Sequence, residues 1–440
     1  MALLPFLLLA SHVAVALAAT SGTFSALSFN VAGLPQFLQG NDESGDKTNN
    51  TALIGTEFAA RGFDIIHVQE DFNYHATLYE YDSHPYRTAT SGGVPIGSGL
   101  NSLSNYDWID FTRIKWDKCS DASGYDCWTP KGFTFMRWHI YDGVYIDVYN
   151  LHADSGVEDG DEQARTANIQ QVADYIDIWS VGNAVLVFGD TNSRYTRTAD
   201  NIDVFHTQNG LTDAWLQLER GGQIPTVREV CANPAPNNTC ETVDKMFFRG
   251  SALLRLNATS FTYDAAQFLS SNGSTLSDHN PILVEFAWAL SPSLRQSDFT
   301  GGPHGTWFSD LADLAALQSM SPAGASLTLR GGARLDAMSI TLAGSGAPTL
   351  THGGTGGDPH RLTLDSDEYI SGIHACQGQY DDHTRLFYLE ATTSARRTVA
   401  AGTTTDDCTT WAAPDGWGLV GFAGQDGDEV DQLAAVWAPA

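Results

Sequence analysis

Near residue 295 the pattern of this chain changes, and that break constrains its architecture more than any other feature. Up to about residue 290, short apolar runs alternate with helix-like stretches. Residues 24–31 (FSALSFNV), 64–68 (DIIHV), 145–151 (YIDVYNL), 184–188 (AVLVF), 243–248 (VDKMFF) and 282–286 (ILVEF) read as short buried strands. Residues 162–178 carry apolar side chains at 169, 172, 173 and 176, a helical spacing. Beyond the segment ALSPSL at 289–294, apolar runs are short and separated by Gly-rich turns such as TGGPHG, LRGGAR and THGGTGGDPH. No helix is expected after residues 307–318. The 440 residues therefore read as an α/β domain, its sheet layers covered by helices, followed by an all-β domain rich in hairpins.

Charge argues against a sequence-reading nucleic-acid-binding domain. The chain holds 23 Lys+Arg against 52 Asp+Glu, a net −29, and the acid excess runs through both parts. Binding to a polyanion through counterion release needs a basic stripe, and no Lys/Arg cluster is present. Residues 1–18 (MALLPFLLLASHVAVALA) are apolar and end in a small-residue pattern, as a secretory signal peptide does, so an extracellular protein is expected. No later stretch approaches the ~20 apolar residues of a membrane helix. In an oxidising compartment the six cysteines suggest three disulfides. Of the 15 pairings that six cysteines allow, nearest-neighbour pairing is preferred: Cys119 with Cys127, Cys231 with Cys240, Cys376 with Cys408. Asn49, Asn237, Asn257 and Asn272 stand in glycosylation sequons.

The ends of the expected strands in the first domain carry polar groups. Asn30 closes the first, Glu70 follows the second, and His152 follows Asn150-Leu151. Asp190 and Asn192 lie in FGDTN, Asp244 opens the VDKMFF strand, and Asp278-His279 sit in SDHNP before the last. Any one of these is an ordinary turn former. Together they collect four carboxylates, two imidazoles and two amides at one sheet edge, a repulsive set unless a cation neutralises part of it. Read chemically, Glu70 is the best ligand for a hard cation, with Asn30 as neighbour or support, and oxygen ligation suits Mg²⁺ and tolerates Mn²⁺. His152 and His279 could move a proton or stabilise charge on oxygen, and Asp244 and Asp278 could orient their rings.

The ordered series SFN, VQED, NLHAD, FGDTNSR, VDKMFF and SDHNP resembles the endonuclease/exonuclease/phosphatase superfamily over about 260 residues. The resemblance implies a deoxyribonuclease I-like four-layer α/β sandwich over residues 19–292 and Mg²⁺-dependent cleavage of a phosphate ester. It further implies that Asp190 orients or deprotonates the attacking water and that Asn192 holds a phosphate oxygen. Three branches compete for the substrate. NLHADSGVEDGDEQARTANIQ and Lys131-Gly132 resemble neutral sphingomyelinases, and Cys231/Cys240 before Asp244 resembles secreted deoxyribonucleases. FGDTNSR is similar to inositol-polyphosphate phosphatases. Aromatic residues between 72 and 128 (Tyr74, Tyr79, Tyr81, Tyr86, Trp108, Trp116, Trp128) suit peripheral membrane contact, although most aromatics serve cores. The acidic balance tolerates zwitterionic choline lipids better than DNA or inositides. A phosphodiester in a lipid headgroup is thus the first expectation, nucleic acid the second, and inositol phosphate the third.

Residues 297–440 resemble jacalin-type lectins through GGPHGTWF, LRGGARLDAMSI, THGGTGGDPHRLTL, EYISGI and GLVGFAGQDGDEVDQL. That implies a β-prism of three four-stranded sheets, with a carbohydrate between Gly302 and the loop Gly427–Asp431. Asp428 and Asp431 would accept sugar hydroxyls there. A prism that serves only as a spacer is the alternative, as is a secreted lectin with a silent first domain. Tethered near 295, the prism would concentrate the enzyme on glycan-bearing surfaces.

Overall fold

The computed structural model describes residues 19–35, 46–317, 320–344 and 347–440, so the expected signal peptide lies outside the described residues. Two six-stranded sheets stack face to face in the first domain. One runs Leu254–Tyr263, Ile282–Leu290, Ser21–Asn30, Ile65–Gln69, Asn101–Ser104, Tyr86–Arg87; the other runs Trp108–Lys115, Gly132–Tyr141, Val144–His152, Ala184–Asp190, Asp244–Arg249, Thr212–Asp213. Strands at the centre read as continuous apolar runs because both faces are covered. In Ser21–Asn30, Phe24 and Ala26 face the other sheet and pack with Trp138, Ile146, Phe188 and Phe286. Leu27 and Phe29 face outward, against Ile54 and Phe58 of helix Lys47–Arg61. Helix Asp159–Trp179 covers the second sheet with Ile169, Val172, Ala173 and Ile176, the residues whose spacing predicts it. The result is four layers: helix, sheet, sheet, helix.

The helix expected over 307–318 is shorter than its pattern. Thr306–Ser309 is a strand that pairs with Trp417–Asp426, and the helix is confined to Leu311–Ala316. Trp307 is recruited by sheet pairing, which a local apolar pattern does not register.

The second domain is a prism of three antiparallel sheets around Leu327, Leu329, Ile340, Leu386, Leu389, Phe422 and Val436. Two sheets have four strands. The third has five, because the entering chain pairs twice with Val430–Pro439, at Arg295–Gln296 and at Thr300–Gly301. All three nearest-neighbour disulfides are formed, and Cys376 and Cys408 are register partners on adjacent strands.

The junction between the domains is packed, not a free tether. Arg137, fully buried, holds both oxygens of Asp147 at 2.7 and 2.8 Å and donates through Nε to Asp110 at 2.8 Å. Trp307 of the prism lies over its guanidinium at 3.4 Å from the ring centroid. Asp110 sits at a register shift with φ 60° and also accepts from Gln425 and Gln432 of the prism, at 3.1 and 2.9 Å. His139 lies between Asp107 and Asp298 (3.0 and 3.1 Å), joining the domains a second time. The prism contacts Gly143, Val181 and the strand ends around them, at the end of the sandwich away from Asn30, His152 and Asp190.

Candidate active site

Strand register places the polar strand ends together. Asn30 is paired with Gln69, His152 with Asp190 in parallel, and Asp244 with Asp190 in antiparallel register. The SDHNP turn is drawn in by Ser277, whose Oγ donates to the Asn30 carbonyl at 2.6 Å. Glu70 leaves its strand with φ 56° and Asn192 follows Asp190 with φ 48°; such conformations cost energy and concentrate at functional positions. Gly33 must be glycine here, since a Cβ would stand 2.4 Å from the Glu70 carbonyl.

Asp190 is the hub. Its Oδ2 takes the Asn30 amide at 3.1 Å and lies 3.5 Å from His152 Nε2 and 3.7 Å from His279 Nε2. The Asn30 amide also reaches Glu70 Oε1 at 3.3 Å, so one side chain links both carboxylates. Asn30 Oδ1 meanwhile accepts the Ala32 N–H. Asn192 donates its backbone N–H to Asp190 Oδ1 and its amide to the Ala153 carbonyl. His279 Nδ1 is held by both oxygens of Asp244, at 2.9 and 3.1 Å, leaving Nε2 to face the site.

Two expectations about ring orientation are corrected. Asp278 is exposed, whereas both oxygens of Asp244 reach His279 Nδ1, so Asp244 orients the His279 ring. His152 is oriented by neither acid: its Nδ1 is buried without a partner, and its Nε2 faces Asp190 and Lys131 Nζ (3.2 Å). Adjacency in sequence does not put Asp278 on the His279 ring nitrogen, whereas strand pairing delivers Asp244 to it from 35 residues away.

Lys131 is the principal residue that strand-end reasoning missed; the sequence offered it only as part of a Lys-Gly segment. It follows the loop closed by Cys119–Cys127 by four residues and forms an ion pair with buried Asp126 of that loop, which accepts in turn from Ser155 N and Oγ. Lys47, the first residue of helix Lys47–Arg61, is the second cation of the site. Burial pushes it down to about 8, while Asp278 and Glu70 hold it up.

The electrostatics separate the two imidazoles. Burial opposes charge on His279, but Asp244 and Asp190 outweigh it and hold its pKa well above the ordinary value. His152 is pushed down to about 3 by burial and by Lys131, against the pull of Asp190. Burial raises Glu70 despite Lys131. Lys131 is itself raised, burial being outweighed by Asp126 and Glu70.

The donor set suits a hard divalent cation. Glu70 and Asp190 offer carboxylate oxygens on either side of Asn30, and the ligand atoms of Asp190, Asp244 and His279 lie within 4.8 Å of one another. Burial of a carboxylate against other carboxylates is relieved by such an ion.

In the prism, Gly302 N donates to the Asp431 carbonyl at 2.9 Å, and the exposed Gly427-Asp428 turn follows the adjacent strand. The expectation that Asp431 is the open acceptor for a sugar is corrected. Asp431 is 2% exposed and Arg385 already binds its Oδ1 at 2.9 Å. Arg334 holds Glu429 with two bonds, at 2.6 and 2.5 Å, so the acidic rim is largely paired. Asp428 and the loop backbone are the groups left facing solvent. Of the seven aromatics named between 72 and 128, Trp116 is buried, Tyr74, Tyr79 and Trp108 are half-buried, and Tyr81, Tyr86 and Trp128 are exposed. The four sequon asparagines are all exposed. No helix among the described residues is long and apolar enough to cross a membrane.

Comparison with known proteins bears on both domains. The model of endonuclease/exonuclease/phosphatase family 2 matches residues 46–285, and that of the jacalin-like lectin domain matches residues 297–436. A sphingomyelinase from Mycobacterium tuberculosis is 37% identical over 273 residues, 60% of this chain and 53% of that protein. The chain thus spans about half the length of the curated relatives it matches. Among solved structures, sphingomyelinase C from Streptomyces griseocarneus aligns with 17% identity and a TM-score of 0.42 over 60% of this chain and 99% of that one. Malaysian banana lectin aligns with 22% identity and a TM-score of 0.28 over 33% of this chain and 98% of that one.

Proposed function

Since the chain belongs to endonuclease/exonuclease/phosphatase family 2 and carries a jacalin-like lectin domain behind that catalytic fold, we propose that it is a Mg²⁺-dependent phosphodiesterase that hydrolyses sphingomyelin. The observation that carries the reaction is Asp190 standing between His152 and His279 while Asn30 links it to Glu70. The choice of lipid draws on the 37% identity to sphingomyelinases, together with a net negative charge that disfavours anionic substrates.

Glu70, supported by Asn30, would hold the cation, which supplies Lewis-acid polarisation of a phosphoryl oxygen. Asp190 would accept a proton from the attacking water. His279, kept cationic by Asp244, presents Nε2–H toward the phosphate and can protonate the leaving alkoxide or stabilise charge on oxygen. His152 stays neutral beside Lys131, whose ammonium faces the same anionic centre. The opposite directions of the two imidazole shifts favour His279 as the acid. The prism would bind carbohydrate through Asp428 and the exposed turn at Gly427, not through Gly302, which is buried with its N–H on the Asp431 carbonyl.

The deciding experiment compares full-length protein on sphingomyelin vesicles, plasmid DNA and inositol phosphates with Mg²⁺, with Mn²⁺ and with EDTA. Cleavage of sphingomyelin that EDTA abolishes and Mg²⁺ restores is expected. Turnover of DNA alone, or full activity in chelator, would refute the reading.

A further inference from the structure

We propose that the loops around the catalytic mouth form a docking surface for the zwitterionic face of a lipid bilayer, a reading that rests on the lipid substrate proposed above. Among the described residues, the five most exposed large apolar side chains are Ile96 (78%), Val227 (75%), Tyr125 (70%), Val157 (64%) and Trp128 (59%). They come from four segments distant in sequence. The segments of Ile96, of Tyr125 and Trp128, and of Val157 adjoin strand ends that carry the site, and Val227 lies in the segment that leads from helix Ala214–Glu219 to Asp244.

Ile96 lies in the loop before Asn101–Ser104, where Gly99 O accepts the Asp71 N–H beside Glu70. Tyr125 lies inside the loop closed by Cys119–Cys127 and Trp128 directly after it, before Lys131, and their rings touch at a centroid distance of 4.7 Å. Val157 follows His152 by five residues, and Gly156 beneath it packs against Ser123 of that same loop. Val227 lies two residues before Glu229, whose carbonyl accepts the Glu241 N–H at the base of the Cys231–Cys240 loop that precedes Asp244. Burial of such side chains in the core would stabilise the fold, so their common placement around one opening points to an apolar partner.

The surroundings specify which partner. Tyr125, Trp128 and Val157 are interspersed with exposed Asp121, Glu158 and Asp159, in a chain of net charge −29. Anionic lipid is repelled by that set, whereas a choline-headgroup surface is not. Tyr and Trp are the side chains that sit at the level of lipid headgroups. The loop that presents them is held stiffly, by Asp126 on Ser155, by Ser120 N on Asp154 and by Ser123 on Asp161. Insertion would therefore hold Lys131 and His152 at a set height over the headgroup. The prism occupies the opposite end of the sandwich and leaves the mouth clear.

The test uses full-length protein and the quadruple variant Ile96→Ser, Tyr125→Ser, Trp128→Ser, Val227→Ser, with circular dichroism confirming the fold. Single Trp128→Ser serves as a milder variant, and Leu53→Ser with Ile178→Ser removes exposed apolar groups elsewhere. Flotation with vesicles of phosphatidylcholine and sphingomyelin in equal parts is measured in EDTA, so that binding is read without turnover. A second arm measures hydrolysis of the vesicles and of short-chain sphingomyelin below its micelle concentration. Vesicle binding and vesicle hydrolysis should fall about tenfold or more in the quadruple variant, less in Trp128→Ser, and not in the control. Turnover of the dispersed short-chain lipid should be unchanged. Wild-type flotation by the quadruple variant, an equal loss in the control, or preference for phosphatidylserine-rich vesicles would each overturn the proposal. If wild type floats but cleaves neither lipid, docking stands and the sphingomyelinase reading falls.

Discussion

Arg137→Met tests whether the two domains share one buried polar core. In the intact protein Arg137 neutralises Asp147, which is 0% exposed and whose pKa burial raises against the pull of Arg137. Methionine keeps most of the volume but leaves Asp147 without its counter-ion and Asp110 without its Nε–H donor. Removing one partner of a buried ion pair costs about 3–5 kcal/mol. For a domain of this size each kcal/mol moves Tm by roughly 2–4 °C, so a fall of about 6–20 °C is expected. Calorimetry of full-length protein at pH 7 reads it. The loss should shrink as pH falls, because protonated Asp147 needs no counter-ion, and Arg137→Met with Asp147→Asn should be more stable than Arg137→Met alone. The prism transition should move as well, since Trp307 stacks on the lost guanidinium. A variant whose transitions lie within about 1 kcal/mol of wild type would refute the reasoning. A shift confined to the catalytic domain would mean that the junction transmits no stability.

Other outcomes follow from the site. His279→Ala should lower turnover about 10²–10⁴-fold with the fold intact, as loss of a general acid does; near-normal rates would misplace the acid. Asp244→Asn should move the basic limb of the pH–rate profile to lower pH, because Asp244 is the largest influence holding the His279 pKa up. Lys131→Met should weaken substrate binding and lower turnover while leaving Tm within a few degrees, and an unaltered kcat/KM would remove Lys131 from the site. His139 has its pKa raised: burial opposes this but is outweighed by Asp298 and Asp107, which flank it across the junction. Its stabilising contribution is therefore full below about 6.5 and is lost as pH rises through the elevated value. Unfolding measured from pH 6 to 9 should show that loss in wild type and not in His139→Gln.

Much of the architecture is legible in residue order because local patterns report burial directly. Phe24 to Phe29 must be apolar on alternate sides to fill two cores at once, and Ile169, Val172, Ala173 and Ile176 must share one helix face. The functional strand ends stand out for a related reason. Polar groups such as Glu70, Asp190 and His279 are costly where a buried strand stops, and their accumulation along one sheet edge is visible without coordinates. What residue order does not carry is pairing across distance. It does not say that Asp244, not neighbouring Asp278, turns the His279 ring, or that Lys131 enters the site from beside a disulfide loop. Nor does it say that Arg385 already holds Asp431. The junction is the clearest case. Arg137, Asp110, Trp307, Gln425 and Gln432 look like unrelated residues of two domains, and only packing brings them to one buried cluster. Periodicity records whether a side chain faces solvent or core; the particular partner of a buried charge is chosen by strand register and domain packing, which are properties of the whole chain.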